Sequence, residues 1–213
     1  MTTLFFDIET IPTELPWVIE DLRANIRPPA NYSKPETIEK WMSENAETAL
    51  KEKIHATGLD GAYGQICCIA YAFDDESIQT IGTHLQLTER SILADFSAEL
   101  KDKRITKIIG HNIAGFDLPY IRKRAIIHGI SINLPFDAKP WDEKIYDTML
   151  KWDAKKSISM DKLARVLGIE GKGDIDGSMV WDMYKRGEYQ QIADYCADDV
   201  NIVQSIYSRM TAL

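Results

Sequence analysis

Two apolar runs that read as core strands, residues 4–8 (LFFDI) and 65–73 (QICCIAYAF), stand far apart, divided by a stretch at 12–64 that continues neither. A sheet built from both has to carry an insertion after its first strand. The insertion begins irregularly around Pro16, Pro28, Pro29 and Pro35. It then turns helical, with Ile38, Trp41, Met42, Ala46, Ala49, Leu50 and Ile54 on one face, and leaves through Gly58, Gly61 and Gly64. After the second run, Asp74 and Asp75 mark a turn and residues 77–82 a hairpin partner. Thr88 caps a helix with Ile92, Leu93, Phe96 and Leu100 on its inner face, and residues 106–109 form a strand stopped by Gly110. The next helix has Pro119 in its first turn and Gly129 just past its end. Residues 145–147 read as a last short strand, and helices follow at 159–167, 178–185 and 189–210. With no internal repeat, this order predicts one α/β domain over residues 1–213, with a helical insertion at about 12–64.

Composition narrows the function classes. The 213 residues are 45% hydrophobic and 27% charged, which excludes global disorder. No run of about 18 apolar residues exists, and the start Met1-Thr2-Thr3-Leu4-Phe5-Phe6-Asp7 lacks a basic n-region, so neither membrane nor secretion is expected. Cys67, Cys68 and Cys196 make an odd count, which fits free thiols in a reducing cytoplasm. The formal charge of −8 opposes binding nucleic acid by a standing basic face. It does not oppose an enzyme whose acids hold cations, because two divalent ions neutralise four carboxylates and let phosphates approach.

Three acidic placements sit inside or beside apolar elements, where an unpaired charge is costly. Asp7 and Glu9 lie two apart on the first strand and share a face, an arrangement that wants a cation unless the strand end meets solvent. Asp117 stands at a strand-to-helix junction, the place of an ordinary N-cap. Tyr195 and Asp199 lie at i and i+4 on the last helix, where a surface acid beside a half-buried tyrosine is the bland alternative. Asp198 points about 100° away from Asp199 and pairs with Asp194 as a second acidic face. Singly each placement is ordinary; the ordered set is not.

That set resembles the tyrosine-bearing branch of the DEDD superfamily of 3′-5′ exonucleases, of the DnaQ-like, ribonuclease H-like class. The matching stretches are Phe6-Asp7-Ile8-Glu9-Thr10, then Gly110-His111-Asn112 through Phe116-Asp117, then Tyr195-Cys196-Ala197-Asp198-Asp199. The histidine-bearing branch would need His where Asp194 stands. Ser159-Met160-Asp161-Lys162-Leu163-Ala164 and the stretch 171–181 (GKGDIDGSMVW) are similar to stand-alone exonucleases related to the proofreading domain of family B DNA polymerases.

The resemblance implies a mixed five-stranded sheet. It also implies that Asp7, Glu9, Asp117 and Asp199 ligate two divalent metals. Their oxygens suit Mg2+ or Mn2+, and two cations roughly 3.5 to 4 Å apart serve both ends of an in-line phosphodiester displacement. Tyr195, with an ordinary pKa near 10, is a poor base at neutral pH and is assigned to orienting the water. Thr10 and Ile11 are implied to meet the terminal nucleotide. Asn112 is a further substrate candidate. Phe116 stacks on a frayed base or packs in the core, and His111 touches substrate or is structural. The expected substrate is the 3′ end of single-stranded DNA, with RNA as a close variant. A separate polymerase or repair protein is an expected partner, and a non-catalytic module binding nucleic acid or a polymerase is the alternative.

Other signals carry less. The glycines at 168–177 fail the P-loop pattern and predict a loop with Lys172 as a candidate phosphate contact. Asp147 reads as a supporting acid or a helix cap. The aromatic residues Trp17, Tyr32, Trp41 and Tyr63 make the insertion either a wall that guides a strand or an extra packed helix. Basic residues gather at Lys101, Lys103, Arg104 and Lys107 and at Arg122, Lys123 and Arg124, as a strand track or as solvated faces.

Overall fold

In the computed structural model of the protein, which describes residues 2–171, 173 and 175–212, the first strand β1 (Thr2–Ile11) buries Leu4, Phe5 and Phe6 in succession. A continuous buried run is what a strand covered on both faces requires. β1 is the middle strand of a five-stranded sheet. On one side lie β2 (Gln65–Phe73) and β3 (Gln79–Gly82), an antiparallel pair; on the other lie β4 (Ile105–Gly110), parallel to β1, and β5 (Ile145–Asp147), parallel to β4.

The chain forms two compact units, residues 11–65 and the remainder. The smaller contains α1 (Pro16–Ala24) and α2 (Pro35–Ala56). Pro16 and Pro35 sit at the first helical positions of α1 and α2, where the missing N–H is no loss and the fixed φ is already helical, while Pro28 and Pro29 lie in the connection between the two helices. That is why helix α1 occupies a stretch that reads as irregular. Within this unit the Thr13 N–H donates to Thr57 Oγ1 at 2.9 Å, and Trp17–Tyr63 and Tyr32–Trp41 meet with ring centroids 6.3 and 6.4 Å apart.

The larger unit adds α3 (Glu89–Leu100), α4 (Asp117–His128), α5 (Thr148–Trp152), α6 (Met160–Val166), α7 (Val180–Arg186) and α8 (Tyr189–Thr211). Thr88 caps α3 through Ser91 N–H, and Gly129 ends α4 at φ +64. Among the described residues no helix is long and apolar enough to cross a membrane.

Alternation along β1 divides the layers. Leu4, Phe6 and Ile8 enter a cluster with Tyr71, Leu93, Phe96, Ile108 and Ile121, in which the Phe6 and Phe96 rings lie 5.8 Å apart. Phe5 turns the other way and meets Tyr207 of α8 edge-on at 5.6 Å. Asp7 and Glu9 share the parity of Phe5, so α8 covers their face of the sheet.

One basic residue of the sequence clusters is not on any surface. Arg124 is 4% exposed and grips Glu89, with Nε to Oε1 2.8 Å and Nη2 to Oε2 2.6 Å. The same carboxylate accepts the Ile66 N–H at 2.8 Å and faces His128 Nε2 at 2.6 Å. Arg124 therefore joins α4 to α3 and is no part of a strand track.

Candidate active site

The acids gather where the C-terminal part of β1, the β4–α4 junction and α8 meet. Asp7 is half-buried; Glu9, Asp117, Tyr195 and Asp199 are buried. Carboxylate oxygens of Asp7 and Glu9 and the Cys196 sulfur all lie within 4.8 Å of one another. Two thiols hold the strand beneath the acids. Cys196 Sγ donates to the Asp7 carbonyl at 3.6 Å and lies 3.9 Å from its Oδ2, and Cys67 Sγ donates to the Glu9 carbonyl at 3.4 Å.

Asp117 opens α4, and its Oδ1 accepts the Ile8 N–H at 3.2 Å. Burial pushes its carboxyl up to about 8, helped by the charges of Asp147 and Asp199 and opposed by hydrogen bonds from its own backbone and that of Ile8. Burial also drives the Tyr195 phenol far up, with Asp199, Glu9, Asp7 and Asp176 adding to it. Tyr195 is therefore a protonated donor at neutral pH. The concentration of buried acids fits a divalent cation: hard oxygens are present at ligand spacing, and their mutual repulsion is what a cation would relieve.

Asp7, His111, Asn112, Tyr195 and Asp199 line one cleft of about 630 Å3, with Asp161 and Asp176. His111 holds the wall: its Nε2 donates to the Ile158 carbonyl at 2.9 Å, which leaves Nδ1 to face Thr148 Oγ1 at 2.9 Å. Asn112 adopts φ +57, and a Cβ on Gly115 would come within 2.5 Å of its Oδ1, so a larger residue at 115 has to displace the Asn112 side chain. Thr10 and Ile11 end β1, half-buried and buried. Phe116 packs on Tyr120 with ring centroids 5.3 Å apart, against the main core. On α8, Asp199 is buried while Asp194 and Asp198 are exposed. Lys172 lies outside the described residues, as does Asp174 of the stretch 171–181.

Asp147 does more than its sequence suggests. Fully buried, it accepts the backbone N–H groups of Asn112 and Ala114 at 3.0 and 3.1 Å and those of Met149 and Leu150 at 3.0 and 3.3 Å. It caps α5 and also holds the β4–α4 loop. The cap half was readable from an acid before Thr148; the loop half was not.

A family model described as predicted 3′-5′ exonucleases related to the exonuclease domain of PolB matches residues 62–213. The chain belongs to this family. The matched residues include Asp117, Tyr195 and Asp199, while Asp7 and Glu9 precede them. A curated DNA polymerase of Archaeoglobus fulgidus is 26% identical over 140 residues, covering 59% of this chain, which spans only 17% of that relative. The family B DNA polymerase of Pyrobaculum calidifontis has a similar fold, with TM-score 0.62, 16% identity, and coverage of 99% of this chain and 24% of the polymerase. This exonuclease-family chain thus has the ribonuclease H-like fold that its motifs resemble.

Proposed function

We propose that the protein is a metal-dependent exonuclease of the tyrosine-bearing DEDD type, removing nucleoside monophosphates from the 3′ end of single-stranded DNA. The observation that carries the reading is the convergence of Asp7, Glu9, Asp117, Tyr195 and Asp199, from three distant parts of the sequence, on one end of the sheet.

Asp7, Glu9, Asp117 and Asp199 would hold two divalent cations, Mg2+ or Mn2+, which when bound supply Lewis acidity and neutralise developing negative charge. The chain's own groups do the rest. Tyr195, kept protonated, donates its hydroxyl hydrogen to the attacking water or to a phosphoryl oxygen and fixes the line of attack. The hydrolysis forms a bond from water oxygen to phosphorus and breaks the bond from phosphorus to O3′ of the penultimate nucleotide, whose oxygen takes a proton. The cleft has the size of a nucleotide site. His111, tied to Thr148 and the Ile158 carbonyl, and Asn112 form part of its wall. Thr10 and Ile11, next along β1, are assigned to the terminal nucleotide.

The test is degradation of 5′-labelled single-stranded DNA and RNA with Mg2+, Mn2+ or EDTA, beside Asp7→Ala and Asp199→Ala. A metal-dependent ladder shortening from the 3′ end of DNA, and lost in both variants, is the expected result. A ladder on RNA alone would change the substrate. Intact strands under every metal would shift the reading to a binding module, and a ladder that survives both substitutions would put the site elsewhere.

A further inference from the structure

A second cleft, of about 570 Å3, opens on the larger unit between the β4–β5 edge and α5, and is lined by Thr3, Thr106, Lys107, Lys144, Tyr146 and Lys151. The one acid on its wall is Glu143. In a chain of net charge −8 this is an unusual excess of cations. None of the three lysines forms an ion pair among the described residues, whereas Lys103, Arg122, Arg124 and Lys185 are matched to Glu76, Asp137, Glu89 and Asp182. Lys151 Nζ instead lies 5.8 Å from the centre of the Tyr146 ring.

The cleft shares a sheet face with the acids. Thr3 and Asp7 have the same parity on β1; Thr3 pairs with Lys107, and Ile109 of β4 pairs with Tyr146. Both clefts border α5, a single turn, with Met149 lining the acidic one and Lys151 the basic one. Two residues on a helix point about 200° apart, so the helix is a wall roughly 10 Å thick between the clefts. Beyond it, exposed Lys155 and Lys156 precede Ser157 and Ile158, which line the acidic cleft.

We infer that this lysine cleft holds the upstream phosphates of a single-stranded nucleic acid whose 3′ end occupies the acidic cleft. The inference rests on the proposed function and names where its substrate runs. A polyanion entering the acidic cleft is repelled by every carboxylate that a cation does not cover, so its upstream backbone needs cations elsewhere. Unpaired lysines supply them, and the Thr3 hydroxyl is placed to donate to a phosphate, whereas Thr106 spends its hydroxyl hydrogen on the Thr2 carbonyl. Tyr146, packed edge-on with Tyr207 at 4.8 Å, adds an aromatic wall, and cations beside an aromatic ring bind single strands without reading sequence.

The test is fluorescence anisotropy of a 5′-fluorescein fifteen-nucleotide oligothymidylate in EDTA across a KCl series. The triple variant Lys107→Gln/Lys144→Gln/Lys151→Gln is compared with wild type and with Lys101→Gln/Lys123→Gln/Lys139→Gln, which removes equal charge from exposed positions elsewhere. The expected result is a Kd raised at least about tenfold in the first triple only. The slope of log K against log salt should fall by about 2, since each neutralised phosphate of a single strand contributes about 0.7. Equal Kd and slope in wild type and the first triple, or equal losses in both triples, would overturn the inference. So would displacement of the oligonucleotide by polyglutamate as readily as by unlabelled strand. Hydrolysis of the p-nitrophenyl ester of thymidine 5′-monophosphate with Mn2+ reads the acidic cleft alone. Ester hydrolysis with unresponsive strand binding removes only the lysine track; a responsive track without ester hydrolysis removes only the catalytic reading.

Discussion

The Asp117 carboxylate accepts a hydrogen bond from the Ile8 backbone N–H at 3.2 Å, across 109 positions of sequence. Ile8 lies between Asp7 and Glu9, so the third acid is keyed to the backbone that carries the first two. A carboxylate free to swing would relieve the repulsion among these groups by moving into water; this one cannot. Asp117→Asn keeps an oxygen for the Ile8 N–H and removes the charge. At pH 5 in EDTA, where the wild-type carboxyl also carries its proton, it is expected to melt within about 1 kcal/mol of wild type, while losing at least about 100-fold in strand degradation at neutral pH, more than loss of an outer partner of a metal ligand. Asp117→Ala, which also orphans the Ile8 N–H, should lose about 1 to 3 kcal/mol as well. Melting curves beside a labelled-strand assay separate the two effects, and an active Asp117→Asn would remove Asp117 from the site.

The raised pKa of Asp117 sets a pH dependence with a definite sign. Its native carboxyl titrates near 8 and its unfolded one near the ordinary carboxylate value, so between those limits the metal-free native state holds the extra proton. The stability this contributes is complete below about pH 4 and is lost as pH rises toward 8. In EDTA the difference in Tm between Asp117→Asn and wild type should therefore widen in favour of the variant from pH 5 to pH 8.5. A cation has to displace that proton, so Mn2+ affinity should rise with pH by up to about tenfold per unit and level off above about 8. Calorimetric titrations in buffers of different ionisation enthalpy count the proton released; an affinity flat between pH 5 and 8 would count against a shared buried site.

The parts of the site that were legible are those that a local pattern determines. The run LFFDIET announces a strand buried on both faces, and the two-residue spacing of Asp7 and Glu9 already puts them on one side. Helical phase sets Asp198 and Asp199 about 100° apart, and with α8 packed on the sheet Asp199 is the buried one while Asp198 is exposed. What stayed hidden depends on partners distant in sequence. Arg124 sits in an Arg-Lys-Arg run that looks solvated, and only the fold brings Glu89 to it. Helix α1 was obscured because Pro16 reads as a breaker until its place at the first helical position is known. Asp147 lies 35 positions from the Asn112 N–H that it accepts.

Asp147 gives a prediction of its own. Its side chain satisfies four backbone N–H groups, two in the loop that presents His111 and Asn112 and two in the first turn of α5. Asp147→Ala leaves buried donors unmet and should lower stability by about 3 kcal/mol. Because that loop forms a wall of the acidic cleft, kcat/KM should fall too, in part through KM. Asp147→Asn retains one acceptor oxygen and turns an amide toward the remaining donors, so it should fall between the two. A melting temperature unchanged in Asp147→Ala would show that water replaces the carboxylate and that the loop does not depend on it.

The Glu89–Arg124 pair tests a structural role against a binding one. Both side chains are buried, and Glu89 also accepts the Ile66 N–H and contacts His128. Removing one charge strands the other in the core, so Arg124→Met should lose roughly 3 to 5 kcal/mol. Glu89→Gln/Arg124→Met removes both charges and keeps an acceptor for Ile66. It should recover part of the loss, giving a coupling energy above about 1 kcal/mol in a double-mutant cycle by denaturant unfolding. Additive losses would mean that the two side chains act independently. Because Arg124 faces the core, its loss should appear in the unfolding midpoint and leave the salt dependence of oligonucleotide binding as in wild type. The opposite pattern, a changed salt slope in a chain of normal stability, would return Arg124 to the strand track.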